Sequence, residues 1–336
     1  MKKSFIIAAI ITAALALSSC KKQTEEVPAA QEKIPVVGIS KLLAHPALNA
    51  TEEGIKDELE KRGIKVRYDL QNANADINIA NSIASKYKSE GTDITVGIGT
   101  PMAVALTNAI KDKPIVFAAI SDPVAAGLVP NTEKGGKNVT GVSDAVDIEL
   151  QINNFRSIVP FKKLGFIYTN SEDNSVVMKN ITEAVCAKLG IEFIPSSITN
   201  VTEIKQAAES LIGRVDAFFV INDNNICSSL SALTSTAKAH NIPVFSSDPA
   251  SSLQFGGVLY TAGVDYYIGG RLAGAMIAEL LNGSKTTEEI PVRFMRSADE
   301  TMTIVDQDVV KALGVSIPAN LISESTVFIE NGKVIE

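Results

Sequence analysis

The sequence predicts an α/β fold of two similar lobes, each a parallel sheet with helices on both faces. Three observations predict it. Short apolar runs alternate with longer amphipathic runs from about residue 34 onward, the signature of βαβ units. The alternation occurs twice, and a chain of 336 residues is long enough for two domains of ordinary size. The two halves also echo each other at strand ends. Val96-Gly97-Ile98-Gly99-Thr100-Pro101 corresponds to Phe219-Val220-Ile221-Asn222-Asp223-Asn224. Pro114-Ile115-Val116-Phe117, running on to Ser121-Asp122-Pro123, corresponds to Pro243-Val244-Phe245, running on to Ser247-Asp248-Pro249. Val37-Gly38-Ile39-Ser40 corresponds to Phe166-Ile167-Tyr168-Thr169-Asn170.

In the first half, residues 35–39 read as a buried strand. Residues 49–62 read as a helix, with Ile55 and Leu59 one turn apart and Gly63 just past its end. A strand at 65–68, a helix at 77–87, a strand at 94–98, a helix at 102–110 and a strand at 114–119 follow. The second half gives strands at 164–168, 192–194, 217–221 and 243–245. Between and after them lie helices at 175–189, 201–211 and 227–240. Residues 266–281 form a long helical pattern carrying Gly269, Gly270, Ala273 and Gly274. A strand at 292–295, a short helix at 306–313 and a strand at 327–329 close the chain. This last stretch lies beyond two complete lobes and implies several crossings between them.

The N-terminus has its own logic. Lys2 and Lys3 precede an almost wholly apolar run from Phe5 to Leu17, then Leu17-Ser18-Ser19-Cys20. That order is a secretory signal, and its apolar run is too short for a good membrane span. The cysteine after small residues resembles the bacterial lipoprotein signal. Residues 1–20 are therefore expected to be a signal peptide and Cys20 the lipidation site, with an extracytoplasmic body anchored to a bacterial membrane, at the cell surface or in the periplasm. Residues 21–33 are polar and without periodicity, which suits a flexible tether.

Composition narrows the function. The chain is 46% hydrophobic and 21% charged, a globular balance, and carries a net charge of −7 with no long basic stretch. No nucleic-acid partner is expected. Cys186 and Cys227 remain besides Cys20; they could pair in an oxidising compartment, or Cys186 could be a buried free thiol on the apolar face of its helix. The two histidines, His45 and His240, sit in no ligand-spaced cluster, so neither a metal nor a catalytic-histidine site is expected. Gly97-Ile98-Gly99-Thr100 lacks the third glycine of a dinucleotide fingerprint, and neither a Walker loop nor a Gly-x-Ser-x-Gly elbow is present. The sequence reads as a non-enzyme without a cofactor.

Open parallel sheets bind ligands beyond the carboxyl ends of their strands. Here those ends are polar in both halves, so two facing lobes would enclose a cleft for a small polar ligand. Ser40 ends the first strand. Thr100-Pro101 places an N-cap hydroxyl and an N1 proline at a helix start, and Asn174-Ser175 does much the same; free N–H groups and the helix dipole at such ends attract a carboxylate. Asp223, just past a buried strand, could receive an ammonium group. Asp122 and Asp248 precede prolines and could initiate turns or contact ligand; His45 precedes Pro46 at a helix start. The chain has no Trp; Tyr68, Tyr168, Phe117 and Tyr260 could supply a stacking ring, although aromatics on buried strands are usually core.

These segments together resemble the ABC-transporter substrate-binding lipoproteins of the tryptophan/tyrosine-type family over about residues 34–320. The resemblance rests on Val37-Gly38-Ile39 followed by His45-Pro46-Ala47-Leu48, on Gly97-Ile98-Gly99-Thr100-Pro101, and on Ser121-Asp122-Pro123 with Gly127-Leu128-Val129. It continues through Ser171-Glu172-Asp173-Asn174-Ser175, Asn222-Asp223-Asn224, and Asp265-Tyr266-Tyr267 with Gly269-Gly270-Arg271. It implies a type I periplasmic-binding fold: two Rossmann-like lobes joined by three hinge crossings that close on a ligand. Lobe one would span 34–143 plus 264–291, and lobe two 144–263 plus 292–330, with hinges near Val142-Ser143, Tyr260 to Gly263 and Val292 to Phe294. Carried over by motif, ligand contacts would fall at Thr100, Pro101, Ser121, Asp122, Tyr168, Asn170, Asn174, Ser175, Asp223 and Asp248. The implied function is delivery of an amino acid, aromatic in some relatives, to an ABC permease with a separate ATPase; the alternative is a lipid-anchored sensor for a membrane signalling protein. A monomer is expected. One departure stands out: the family's usual Ile-Asn pair near the last helix is replaced by Thr303-Ile304-Val305-Asp306.

Overall fold

A computed structural model describes residues 34–335. The signal peptide at 1–20, Cys20 and the tether at 21–33 lie outside the described residues. The first part of the chain runs β1 (Val36–Lys41), α1 (Pro46–Lys61), β2 (Arg67–Asn72), α2 (Ile77–Glu90), β3 (Ile94–Ile98), α3 (Thr100–Ala109), β4 (Ile115–Ile120) and β5 (Val139–Ser143). Next come α4 (Ile148–Ile158), β6 (Lys163–Thr169), α5 (Asp173–Lys188), β7 (Glu192–Ile198), α6 (Ile204–Leu211), β8 (Ala217–Val220), α7 (Asn224–Ser228), α8 (Leu230–Ala239), β9 (Val244–Ser246), α9 (Pro249–Phe255) and β10 (Tyr260–Val264). The chain finishes with α10 (Tyr266–Leu281), β11 (Arg293–Phe294), β12 (Thr301–Asp306), α11 (Gln307–Leu313), β13 (Thr326–Glu330) and β14 (Lys333–Ile335).

These elements form two sheets. The first has the order β11-β5-β4-β3-β1-β2, and every pair in it is parallel. The second has the order β14-β13-β12-β10-β9-β8-β6-β7, with antiparallel pairing only where β12 meets β10 and β14 meets β13. The order β5-β4-β3-β1-β2 is repeated as β10-β9-β8-β6-β7, so the internal echo read from the sequence is an architectural repeat. The chain passes between sheets three times, at 143–148, 264–266 and 294–301.

Several boundaries differ from the sequence reading. The strand expected at 292–295 is β11, and it pairs with β5 in the first sheet. The return to the second lobe therefore comes at Thr301, not at 292. The strand expected at 65–68 begins at Arg67, and the helix expected at 227–240 is two helices broken at Ser229. β5, α4, α9, β10, β12 and β14 had no assignment from sequence. Asp306, in the departing segment, caps α11 and accepts from Gly257 N–H, which makes it a structural residue.

The first lobe has one apolar core spread over both sheet faces, with all five β3 residues buried. Helix α10 returns from the second lobe to lie on α1 at a distance only glycine permits. A Cβ on Gly54 would sit 2.1 Å from the Tyr267 carbonyl oxygen, and one on Gly270 would sit 2.2 Å from that of Thr51. In the second lobe Phe155 stacks on Phe245 at 4.5 Å and meets Phe219 edge-on at 5.2 Å. Phe117 is fully buried, and Tyr260 is buried with its hydroxyl donating to the Leu321 carbonyl, so both are core rings rather than ligand stackers. Cys186 and Cys227 are buried free thiols, which removes the disulfide alternative. Among the described residues no helix is long and apolar enough to cross a membrane.

Candidate functional site

The carboxyl ends of the strands of both sheets face a shared buried space. From the first lobe come His45 and Leu48 at the start of α1, and Ala119 and Ser121 at the end of β4. From the second come Asn174, the run Asn222-Asp223-Asn224, Cys227 and Asp248. Asp144 and Tyr266, which sit on two of the crossings, complete the wall. A second small space continues it between Thr100, Ser121 and Asp122 on one side and Asp173, Asn174 and Val177 on the other. The first space measures about 10 Å³, room for roughly one water. Further from the crossings, the lobes leave a groove of about 840 Å³ of mixed lining between Asn72, Asn74 and Asp76 on one side and Glu172, Asn200 and Asn225 on the other.

Hydrogen bonds knit the space across the lobes. His45 Nε2 lies 3.3 Å from Asn224 Oδ1. Tyr266 donates its hydroxyl to Asp144 Oδ2 at 3.1 Å, and Asn222 Nδ2 donates to the Asp144 carbonyl at 3.4 Å. Behind them, Glu172 accepts from Asn224 Nδ2 at 2.6 Å and from Asn225 Nδ2 at 2.9 Å. Three buried polar atoms on the space have no partner: His45 Nδ1, Asp144 Oδ1 and Asn174 Oδ1. Buried polar groups are normally satisfied, so such a concentration marks a place where another molecule's groups belong.

The electrostatics are lopsided. Asp144, Asp223 and Asp248 line the space and Glu172 lies just behind, while neither Lys nor Arg contributes to it. Burial pushes the Asp144 carboxyl up to about 6, against the stabilising Ser121, Tyr266 and Asn222 groups. Burial and then the nearby Asp223 push Glu172 up to about 8. Burial lowers His45, keeping it neutral, and raises Cys227 well above the ordinary thiol value. A buried, protonated thiol is not a nucleophile. What the cluster suits is a cation with hydrogen-bond donors, an ammonium above all.

An anion has a place as well. Asp223 caps α7, Asp248 caps α9 and Asp265 caps α10. Thr100 is the first residue of α3 behind Gly99, and Asn174 lies inside α5, so neither is the cap expected from sequence; no side chain caps α1, α3 or α5, which start at Pro46, Thr100 and Asp173. Their free N–H groups and positive dipole ends point at the space between the lobes, and two of the three belong to the first lobe.

The candidates from sequence separate into groups. His45, Ser121, Asn174, Asp223 and Asp248 line the central space, with Thr100 and Asp122 on its continuation. Pro101 borders the outer groove. Ser175 is fully buried at the start of α5, beside Asp223. Three others are directed elsewhere. Ser40 is buried and donates to the Val96 carbonyl inside the sheet. Tyr168 packs on the core of the second lobe, and Asn170 is exposed with its N–H on Ile198. Asp223 reaches the space with both oxygens engaged, by Thr169 N–H at 2.6 Å, the Thr169 hydroxyl at 2.8 Å and Ile226 N–H at 3.0 Å. Its first role is to tie β6 to α7.

Asp144, Glu172, Asn222, Asn224 and Tyr266 were not among the candidates. For Glu172, Asn222, Asn224 and Tyr266 a signal existed, since each lies in a motif already singled out. Asp144 had none beyond its position after a short buried strand. Among the described residues no group of three or more His, Cys, Asp or Glu could hold a metal ion.

Comparison with known proteins supplies the context. The sequence pattern of the family described as ABC transporter substrate binding protein matches residues 36–329. A tyrosine-binding protein of Clostridioides difficile is 38% identical over 282 residues, covering 82% of this chain and 80% of that one. Among solved structures, an ABC domain from Streptococcus pneumonia in complex with L-Trp superposes with a TM-score of 0.82 at 29% identity, over 88% of this chain and all of the other. The ligand-free, open structure of a substrate-binding protein with adhesive properties from Clostridium difficile superposes with a TM-score of 0.67 at 36% identity, over 88% of this chain and 99% of the other.

Proposed function

The chain belongs to the ABC transporter substrate-binding protein family, and we propose that it captures an amino acid with an aromatic side chain between its lobes and presents it to an ABC importer. The observation that carries this reading is the Asp144 carboxylate: buried, on a crossing, with Oδ1 unpartnered and neither Lys nor Arg on the space it lines, where burial keeps His45 neutral. An α-ammonium group supplies the missing charge and donors. The uncapped starts of α1, α3 and α5 receive the α-carboxylate, and Leu48, Ala119 and the Tyr266 ring give an apolar wall. The aromatic side chain is inferred from the relatives, one described as binding tyrosine and one solved with L-Trp.

The central space is far smaller than an amino acid, so the lobes part to admit one, turning at the crossings 143–148, 264–266 and 294–301. Closer superposition on the L-Trp complex than on the open, ligand-free relative of higher sequence identity supports a closed arrangement here. The folded body works outside the cytoplasm, held to the membrane through a lipid on Cys20. Calorimetry tests the site: L-tyrosine or L-tryptophan binds with a single site, and N-acetyl-L-tyrosine, which has no ammonium, does not displace it. Equal binding of the acetylated compound, or no binding of either amino acid, refutes the reading. Small-angle scattering tests the motion through a smaller radius of gyration for the loaded protein than for the empty one.

A further inference from the structure

On the other side of the crossings lies a groove of about 610 Å³ to which all three contribute, through Ala145 to Asp147, Val264, and Phe294 to Arg296. Neighbouring residues divide between the two spaces: Asp144 lines the cleft and Ala145 the groove, Tyr266 the cleft and Val264 the groove. We propose that this groove is a second ligand site, for a small anionic molecule with an apolar body and one N–H or O–H donor.

Three independent features define that chemistry. Gln151 lines the groove at 6% exposure; its Nε2 donates to the Ala262 carbonyl at 2.5 Å, and its Oε1 is a buried acceptor without a donor. A buried acceptor left unmet carries a desolvation cost that a ligand donor relieves. The Arg296 guanidinium stacks on the Phe294 ring at 5.1 Å and makes neither a hydrogen bond nor an ion pair among the described residues. A guanidinium held over a ring and unpaired is a ready partner for a carboxylate. Between these two polar ends, Met295, Met302 and the 56%-exposed Leu150 give an apolar floor. The groove's own carboxylate, Asp147, is turned to its helix and accepts from Leu150 N–H.

The position gives the site a consequence. A molecule seated there touches every crossing while the cleft is narrow. A ligand that fits this geometry better than a parted one holds the lobes together and raises the affinity of the cleft, and the coupling is reciprocal.

The test titrates 3-(4-hydroxyphenyl)propionate, which has the anion, the donor and the apolar body but no ammonium, into the protein by calorimetry and by NMR of the Met295 and Met302 methyl groups. Saturable binding is expected in the range of about 0.1–1 mM. L-tyrosine does not displace it, and its presence tightens L-tyrosine binding. Arg296→Ala, an exposed change outside the cleft, weakens the compound about tenfold and Gln151→Leu about fivefold, both leaving L-tyrosine affinity in the compound's absence unchanged. No saturation, displacement by L-tyrosine, or an affinity that Arg296→Ala leaves intact overturns the proposal. Unaltered L-tyrosine affinity in the compound's presence overturns the coupling.

Discussion

Ser121-Asp122-Pro123 and Ser247-Asp248-Pro249 follow equivalent strands, β4 and β9, in lobes of the same strand order, yet they do different work. Asp122 is half-buried and accepts from the N–H groups of Val124 and Ala125 in a turn. Asp248 is 1% exposed, caps α9 through Ser251, and lines the space between the lobes. The same contrast appears one strand over. β3 runs into Gly99-Thr100-Pro101, an uncapped helix start, whereas β8 runs into Asn222-Asp223-Asn224, a capped one. Duplication of a scaffold has left two bare, positive helix ends in the first lobe, at α1 and α3, and one in the second, at α5, beside capped helix starts at α7 and α9. The variants below address that difference.

The largest effect is expected where the crossings meet the carboxylates. Asp144→Asn should weaken amino-acid binding by roughly 2–4 kcal/mol, because a buried ammonium loses its charge partner; calorimetry reads it, and an unchanged dissociation constant removes Asp144 from the site. Next is pH. Asp144 titrates at about 6 and must be ionised to pair with an ammonium. Below that value binding has to displace a proton, so affinity should fall about tenfold per pH unit, and Asp144→Asn should flatten the profile. Third, Asp248→Ala should cost about 1 kcal/mol of stability through the lost cap, while Asp122→Ala, at a solvated turn, should cost only about 0.3 kcal/mol. Equal costs in a denaturant titration would erase the distinction between the two motifs. The last effect concerns Glu172, whose folded-state value of about 8 lies above its ordinary 4.5. The folded protein keeps that proton when the unfolded chain has released it. Stability from this group is therefore complete below about 4.5 and declines as pH rises to about 8. Glu172→Gln should flatten the fall in Tm between pH 5 and pH 8, and a pH series of thermal melts that keeps the native slope would remove Glu172 as its source.

Much of the fold was readable because burial leaves a period in the sequence. Residues 94–98 and 266–281 were assigned with the bounds the structure shows. The repeat of strand-end motifs foretold equal strand orders. β5 went unassigned: Val139-Thr140-Gly141-Val142-Ser143 has only two large apolar residues among five, where β3 of the same length has three, and Gly141 is required by packing, since a Cβ there would lie 2.1 Å from the Phe117 carbonyl oxygen. α4 carries a helical pattern in Ile148, Ile152 and Phe155 that went unassigned. Ser-rich α9 has a low intrinsic helix propensity and is held by Asp248 hydrogen bonds.

The site divides along a similar line. Local chemistry announced the helix starts near Thr100 and Asn174, since a helix start is marked by its nearest neighbours in the chain. Asp144 and Glu172 were different. An aspartate after a strand and a glutamate before a helix look solvated until Tyr266 comes from 122 residues away to the first, and Asn224 from 52 residues away to the second. The sequence alone determined the alternation of elements, their duplication and the polar character of the strand ends, because each follows from short-range periodicity and capping. Only tertiary structure decided which of those polar ends are buried together, since burial, unmet hydrogen bonds and shifted ionisation belong to the space between two lobes and to no segment of either.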